Sequence, residues 1–438
     1  MDQVIFQSRR REFMNRMQSG IALFAAAPVH IRNTDVDHEY RQDSDFYYLT
    51  GFEEPGAICL LAPGNTKHEF LLFVRPRDKE NEQWAGLRAG VEGVILKYGA
   101  EMAHPVDKIS EILPEFLENA SCLYYQLNKN AQLDQTILSL CDAIRPKYRW
   151  GIYPPSQIID PTRILADMRV IKTSDELTVL RKAVEISCRA HSAAMKAARP
   201  GKTEYQIQAI IEYVFRSRGS SRNGYPSIVG SGPNACILHY TENRRTLADG
   251  DLLLVDAGAE FEYYTGDITR TYPVSGKFTP PQRAVYDIVL HTQKKVIDAV
   301  APGITYNELH SLTVREITQG LIDLNVLTGS VDENIENDNY KKYFMHRTGH
   351  WLGLDVHDPG KYFNGHESRV LEPGMVLTIE PGLYFHEDCP VEDLKYIGVR
   401  IEDDILVSKS GPEILSAACP KEVHDLEAII GMHPAPEF

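Results

Sequence analysis

The sequence predicts a two-domain protein of mixed α/β (α+β) class, and three observations carry that expectation. The chain has 438 residues, more than a single typical core organises. Its first part alternates short apolar runs with helical patterns. Its second part contains a helix–turn–helix arrangement twice, each copy followed by strands that carry acids.

In the first part, Ala57–Leu61 and Phe70–Val74 read as apolar strands, with Pro63-Gly64-Asn65 as a turn between them. Glu111–Leu117 and Leu133–Ile144 read as helices. Tyr153–Met168, with prolines at 154, 155 and 161, reads as an irregular connector. Thr173 and Glu176 then have the spacing of a capping box ahead of Leu177, Leu180, Val184 and Cys188. The domain boundary is therefore expected near residue 172, giving domains of 1–172 and 173–438.

In the second domain Ser174–Arg199 is a helix stopped by Pro200-Gly201, and a second helix follows Thr203. Pro281–Val300 is again a helix, stopped by Pro302-Gly303, with another helix after Thr305. This echo predicts two similar halves facing each other, with a site in the cleft between them. The tail beyond Glu427 carries no readable pattern.

Composition narrows the function classes. The chain is 43% hydrophobic and 24% charged, as in an ordinary globular protein. Lys+Arg 46 against Asp+Glu 61 leaves a net charge of −15, which argues against nucleic acid or an anionic membrane as partner. The 7 cysteines are scattered without a Cys-x-x-Cys pair, so neither a disulfide framework nor a thiolate metal site is expected. No signal-peptide pattern opens the chain and no run approaches about 18 apolar residues, so a cytoplasmic location is expected.

The chemistry sits in the second domain. Leu252–Asp256 is a buried strand ending on an acid, and Asp267 lies on a second strand, Tyr264–Tyr272. A hairpin turning between Phe261 and Glu262 puts Asp256 opposite Asp267, with Cβ atoms about 4.5–5.5 Å apart. Carboxylates that close resist ionising together, and a divalent cation is the economical compensation. Met375–Glu380 is another apolar strand ending on an acid, and in Ile397–Glu402 alternation places Arg400 and Glu402 on one face. Acids at the ends of apolar strands are costly to bury unpaired. His346, His350 and His357 cluster beside glycines and Trp351, and His239 is a further candidate. No Glu follows His346, so the zinc-peptidase His-Glu-x-x-His motif is absent. One imidazole and four carboxylates form a hard ligand set that favours Mn²⁺, with Co²⁺, Fe²⁺ or Zn²⁺ as alternatives set by availability. Two ions about 3.5–4 Å apart, bridged by carboxylates and a hydroxide, would use all five ligands.

These residues resemble a known family, the pita-bread metallopeptidases, and within it the aminopeptidase P subfamily. The similar stretches are Ile228–Gly232, Ile237–Asn243, Asp256-Ala257-Gly258, Gly266–Thr271, His350–Asp358, Glu380-Pro381-Gly382 and Arg400–Asp404. Tyr40–Phe52 resembles the subfamily's first domain. The resemblance implies a mixed α/β N-terminal domain and a pita-bread catalytic domain of two pseudo-symmetric halves. It implies Asp256, Asp267, His350, Glu380 and Glu402 as ligands of two divalent ions, with Asp267 and Glu402 bridging. It places His239, His346, His357 and Arg400 at the substrate site. The implied reaction removes an N-terminal residue that precedes proline, with Glu380 as proton shuttle. His346, Trp351 and Tyr225 are candidates for the wall against the proline ring. A homo-oligomer associating through the first domain is implied as well. A prolidase would share all five ligands, but the first-domain resemblance favours aminopeptidase P, and a metal-free binding protein of the same fold would lack ligands. One departure is Arg347, where relatives often carry Gly. It leaves the ligands in place and changes the shape and charge of the cleft beside His346.

Overall fold

The computed structural model describes residues 1–432, so the final stretch Pro434–Phe438 lies outside the described residues. The chain divides into two compact units, Met1–Met168 and Arg169–Phe438.

The first unit is built on a six-stranded mixed sheet. Its order is Met102–Pro105, Phe70–Val74, Ile58–Leu61, Ile21–Ala25, Leu123–Tyr124 and Ile158–Ile159. The expected pair of apolar strands is its antiparallel centre, with Leu60 opposite Leu71. Both faces are covered, which is why these strands read as continuous apolar runs rather than alternating ones. Leu23, Leu60 and Phe73 pack on one face with Leu113 and Ile137 of the helices Ile109–Leu117 and Ala131–Ile144. On the other face helix Gln3–Arg16 sets Phe13 edge-on to Phe24, with ring centroids 5.3 Å apart, and Arg10 over the Phe70 ring at 3.7 Å.

The connector expected to be irregular over Tyr153–Met168 instead contains strand Ile158–Ile159 and helix Thr162–Val170. Pro161 begins that helix rather than breaking it, because the first-turn N–H that proline lacks needs no partner. Asp160 accepts from the Thr162 amide at 2.8 Å.

The second unit has the doubled architecture. Its helices are Ser174–Ala197 with Glu204–Ser217, and Pro280–Ala299 with Tyr306–Asp323. Each of these four helices opens on a threonine: Thr173 with Glu176, Thr279 with Gln282 and Thr305 with Glu308 form full capping boxes, while at Thr203 the Gln206 side chain accepts from the Thr203 amide at 3.0 Å. The reciprocal bonds satisfy amides that would otherwise be orphaned, so each start is fixed by local chemistry. Each half also carries a three-stranded sheet. One is Ile228–Ser231, Leu252–Asp256 and Thr269–Pro273, and the other is Val376–Ile379, Asp403–Ser408 and Gly411–Ile414. Val296, Ile297 and Leu309 pack on Leu377 and Ile405, seating the second helix pair on the second sheet. Among the described residues no helix is long and apolar enough to cross a membrane, and all seven cysteines are free.

One register differs from expectation. The strand foreseen over Tyr264–Tyr272 is two pieces, Tyr264–Thr265 and Thr269–Pro273, and the hairpin turns at Glu262 and Tyr263. Both turn residues have positive φ, 45° and 71°, the signature of a two-residue turn whose twist matches the strands. Glu and Tyr give no advance notice of that geometry, because Asn and Gly are its usual residues. The turn lies one residue later than expected, which slides the pairing by two. Asp256 therefore faces Thr269 rather than Asp267.

Candidate active site

Asp267 and Glu402 occupy matching places in the two halves. Asp267 sits in the break between Tyr264–Thr265 and Thr269–Pro273, and Glu402 in the break between Gly398–Arg400 and Asp403–Ser408. At each break the backbone leaves the ladder and takes side-chain or crossing partners. The Asp267 amide donates to Asp404 Oδ2 at 3.1 Å, and the Glu402 amide donates to the Thr269 carbonyl at 3.1 Å. Two glycines allow the chain to close around these acids. A Cβ on Gly258 would lie 1.6 Å from the Gly266 carbonyl oxygen, and one on Gly349 would lie 1.8 Å from that of Thr378. Only glycine permits either approach.

Gly349 brings the His350 segment alongside strand Val376–Ile379. The Thr378 amide donates to the His350 carbonyl at 2.9 Å, and the Glu380 amide to that of Thr348 at 2.8 Å. His350 Nδ1 lies 3.1 Å from the Trp351 carbonyl oxygen, which can only accept. Nδ1 therefore carries a hydrogen, and Nε2 is turned inward. Nε2 lies 3.3 Å from Asp267 and 3.7 Å from Glu380.

All nine residues singled out in the sequence line one cavity of about 1010 Å³: His239, Asp256, Asp267, His346, His350, His357, Glu380, Arg400 and Glu402. Asp256, Asp267 and Glu402 are buried on its floor, and Glu380 is 17% exposed. His357 sets its ring edge-on to His350, with centroids 4.4 Å apart, and His239 is exposed at the mouth. Arg400 is buried, and its Nη2 donates to Asp256 Oδ2 at 2.6 Å. Arg400 and Glu402 both reach the cavity although the strand between them is interrupted.

Two residues carry more of the site than their sequence context signals. Tyr384 links His346 to Arg400: its hydroxyl lies 2.9 Å from His346 Nε2 and accepts from Arg400 Nη1 at 3.1 Å. Thr269 accepts from Arg400 Nε at 3.1 Å and donates to Glu402 Oε2 at 2.6 Å. A hydroxyl has no spacing signature, and the only hint was its place beside an acid-bearing strand. Conversely, Trp351, considered for the proline wall, is fully buried in the core. It stacks on Tyr362 with centroids 5.2 Å apart and does not line the cavity. A side chain that large is worth most where it is completely desolvated.

The electrostatics follow from four acids sharing a buried floor. Burial pushes the Glu380 carboxyl up to about 7, against the pull of His350 and Arg400. Burial, with Asp267 close by, holds Glu402 well above the usual carboxylate range. Burial opposes charge on His350, yet the hydrogen bond and charge of Asp267 lift it to about 9. His346 is pushed down to about 3 by burial and by Arg400, so it is neutral. Tyr225 places its hydroxyl 2.6 Å from Asp256 and 2.5 Å from Asp267, one proton serving two carboxylates. Asp267, His350 and Glu402 offer donor atoms that all lie within 4.8 Å of one another. This donor set, hard and over-supplied with negative charge, suits divalent cations.

Comparison with known proteins agrees with this geometry. Residues 178–409 match the model of metallopeptidase family M24, and residues 6–124 match that of the aminopeptidase P N-terminal domain. The chain is 42% identical over 428 residues to the Xaa-Pro aminopeptidase of Escherichia coli, covering 97% of both chains. It superposes on Pseudomonas aeruginosa aminopeptidase PepP with a TM-score of 0.96 at 47% identity, covering 98% of each. Zinc-substituted E. coli aminopeptidase P in complex with product gives a TM-score of 0.95 at 42% identity, again over 98% of each chain. The match to the M24 model over most of the second unit, together with relatives at 42–47% identity along nearly the whole chain, places this chain in metallopeptidase family M24, among the Xaa-Pro aminopeptidases.

Proposed function

We propose that this protein binds two divalent ions, preferentially Mn²⁺, through Asp256, Asp267, His350, Glu380 and Glu402. With them it releases the first residue of peptides whose second residue is proline. The observation that carries the reading is His350: its Nδ1 is committed to the Trp351 carbonyl, which leaves Nε2 facing Asp267, Glu380 and Glu402 as a ligand. Asp267 and Glu402, at the interruptions of the two halves, are suited to bridge the ions. Asp256 then serves one ion, and His350 with Glu380 the other. Two ions held there would supply Lewis acidity, lowering the pKa of a bound water to about 7 and polarising the scissile carbonyl.

The protein's own groups do the rest. Glu380 moves the proton from the attacking water to the departing proline nitrogen. His239 and His357 face the cavity where charge develops on the carbonyl oxygen, and a donor placed there is worth about 10²–10³ in rate. Arg400 and Tyr384 fix Asp256 and His346 in place. An Xaa-Pro bond has no N–H and a fixed φ, so recognition must use shape rather than that donor. Tyr225, Ile228 and Leu238 provide an apolar wall for the ring. In the first unit Trp84, Leu87 and Leu96 are 90%, 81% and 83% exposed, which supports association of copies through that unit.

The test incubates the protein with Mn²⁺ and compares an Xaa-Pro-Yaa tripeptide with the Xaa-Pro dipeptide. Release of the first residue from the tripeptide, abolished by chelation and by Glu380→Gln, is the expected result. Cleavage of the dipeptide alone moves the reading to a prolidase, and no cleavage of either sinks it.

A further inference from the structure

Most charged groups that line the cavity are committed to one another. Arg400 spends its guanidinium on Asp256, Thr269 and Tyr384, and the acids are collected on the floor. Arg347 is different. It is exposed, it lines the cavity next to His346, and its guanidinium makes no hydrogen bond or ion pair among the described residues. Its carbon sits 5.7 Å from the centre of the Tyr306 ring. That ring packs against Tyr362 with centroids 4.7 Å apart, so a wall of two tyrosines holds a cation at the rim. Lys361, the sequence neighbour of Tyr362, lines the same cavity.

From this we infer that Arg347 is a specificity-determining residue that selects peptides carrying a carboxylate just beyond the proline. The inference rests on the reading under Proposed function. A floor of carboxylates repels an incoming anion, so an anionic peptide end needs a compensating cation at the rim. A planar guanidinium backed by an aromatic face matches a carboxylate with two parallel donors. In an extended Xaa-Pro-Yaa tripeptide the terminal carboxylate lies two residues past the scissile carbonyl, about 7 Å away. The same charge can come from an Asp or Glu side chain at the third position. Arg347 touches neither the reacting atoms nor a proposed ligand, so its effect falls on substrate choice.

The experiment measures kcat/KM on four matched peptides at low salt: Xaa-Pro-Ala as free acid and as amide, and Xaa-Pro-Glu-amide and Xaa-Pro-Gln-amide. The wild type is expected to favour free acid over amide on the order of tenfold, the scale of a charge-assisted hydrogen bond partly exposed to water. Both Arg347→Gln and raised ionic strength should bring that ratio towards one, while Arg347→Lys keeps part of it. A Glu-amide to Gln-amide ratio that exceeds one and collapses in Arg347→Gln identifies the side chain as a second source of the carboxylate. An acid-to-amide ratio near one in the wild type, or one that survives in Arg347→Gln, overturns the inference while leaving the peptidase reading intact. Absence of cleavage of all four peptides overturns both.

Discussion

Arg400 and Asp256 form a buried pair, Nη2 to Oδ2 at 2.6 Å, in which the guanidinium holds one of the four acids proposed to bind metal. The other Asp256 oxygen, Oδ1, accepts from the Tyr225 hydroxyl at 2.6 Å, so both oxygens of a carboxylate that burial pushes upward are held in place. Replacing Arg400 with Met would leave Asp256 without that partner and Tyr384 without its donor. Loss of a partner from a buried pair costs about 3–5 kcal/mol. A fall in the urea midpoint together with weakened metal retention on dialysis is the expected outcome.

Ion binding should be visible without any substrate. A ligand held at a hundredfold excess over its Kd stabilises the native state by about 2.7 kcal/mol. Chelation is therefore expected to lower the thermal midpoint by several degrees, and Mn²⁺ to restore it. Glu402→Gln removes a carboxyl whose ionisation burial and the crowded floor oppose. Its metal-free form should melt at or above the metal-free wild type, yet gain less from Mn²⁺. A metal titration followed by calorimetry reads both effects.

Glu380→Gln keeps the shape of the side chain and removes its basicity. General acid–base groups contribute about 10²–10⁴ in rate, so kcat should fall by that factor while the KM for an Xaa-Pro tripeptide moves much less. An equal fall in both kcat and affinity would point to a binding role only.

His191 gives the stability of the second unit a pH dependence of predictable sign. It is fully buried, its Nε2 donates to the Ala257 carbonyl at 3.0 Å, and burial pushes it down to about 4 from an ordinary 6.5. The unfolded chain binds a proton that the native state refuses, so stability is complete above about 6.5 and is lost as pH falls from 6.5 to 4. The loss approaches about 3 kcal/mol. His191→Gln should flatten the denaturation midpoint over that window.

The core behind the site gives a last check. Arg270 and Asp403 are both fully buried at 2.7 Å, and Lys421 and Ser416 also bond Asp403. Asp403→Ala would strand the buried Arg270 and the half-buried Lys421 and should cost about 3–5 kcal/mol in urea unfolding, well beyond a surface substitution.

Much of the site was legible because its chemistry is expensive. Acids closing apolar strands at Asp256 and Glu380, and histidines packed among glycines, stand out since unpaired burial is costly. Helix starts were legible at Thr173 through its capping box, and the other three helices also start after a threonine. Hydroxyl partners escaped notice, because Tyr384 and Thr269 look like ordinary strand residues until their neighbours are known. Trp351 was misplaced for the complementary reason: proximity in sequence to His350 says nothing about which face of the segment it occupies.

The sequence by itself determined the class of the fold, the two-domain organisation, the doubled helix arrangement and the identity of the acids and imidazoles that meet. These follow from periodicity, capping and composition, which act over a few residues. Only the tertiary structure decided the hairpin register, which acids sit in strand interruptions, which nitrogen of His350 faces inward and that Arg347 stands unpaired at the rim. Each of those depends on contacts between segments more than 30 residues apart or on backbone angles such as those of Glu262 and Tyr263. Side-chain preference alone does not encode them, because the energy that fixes them arises only when the two halves pack.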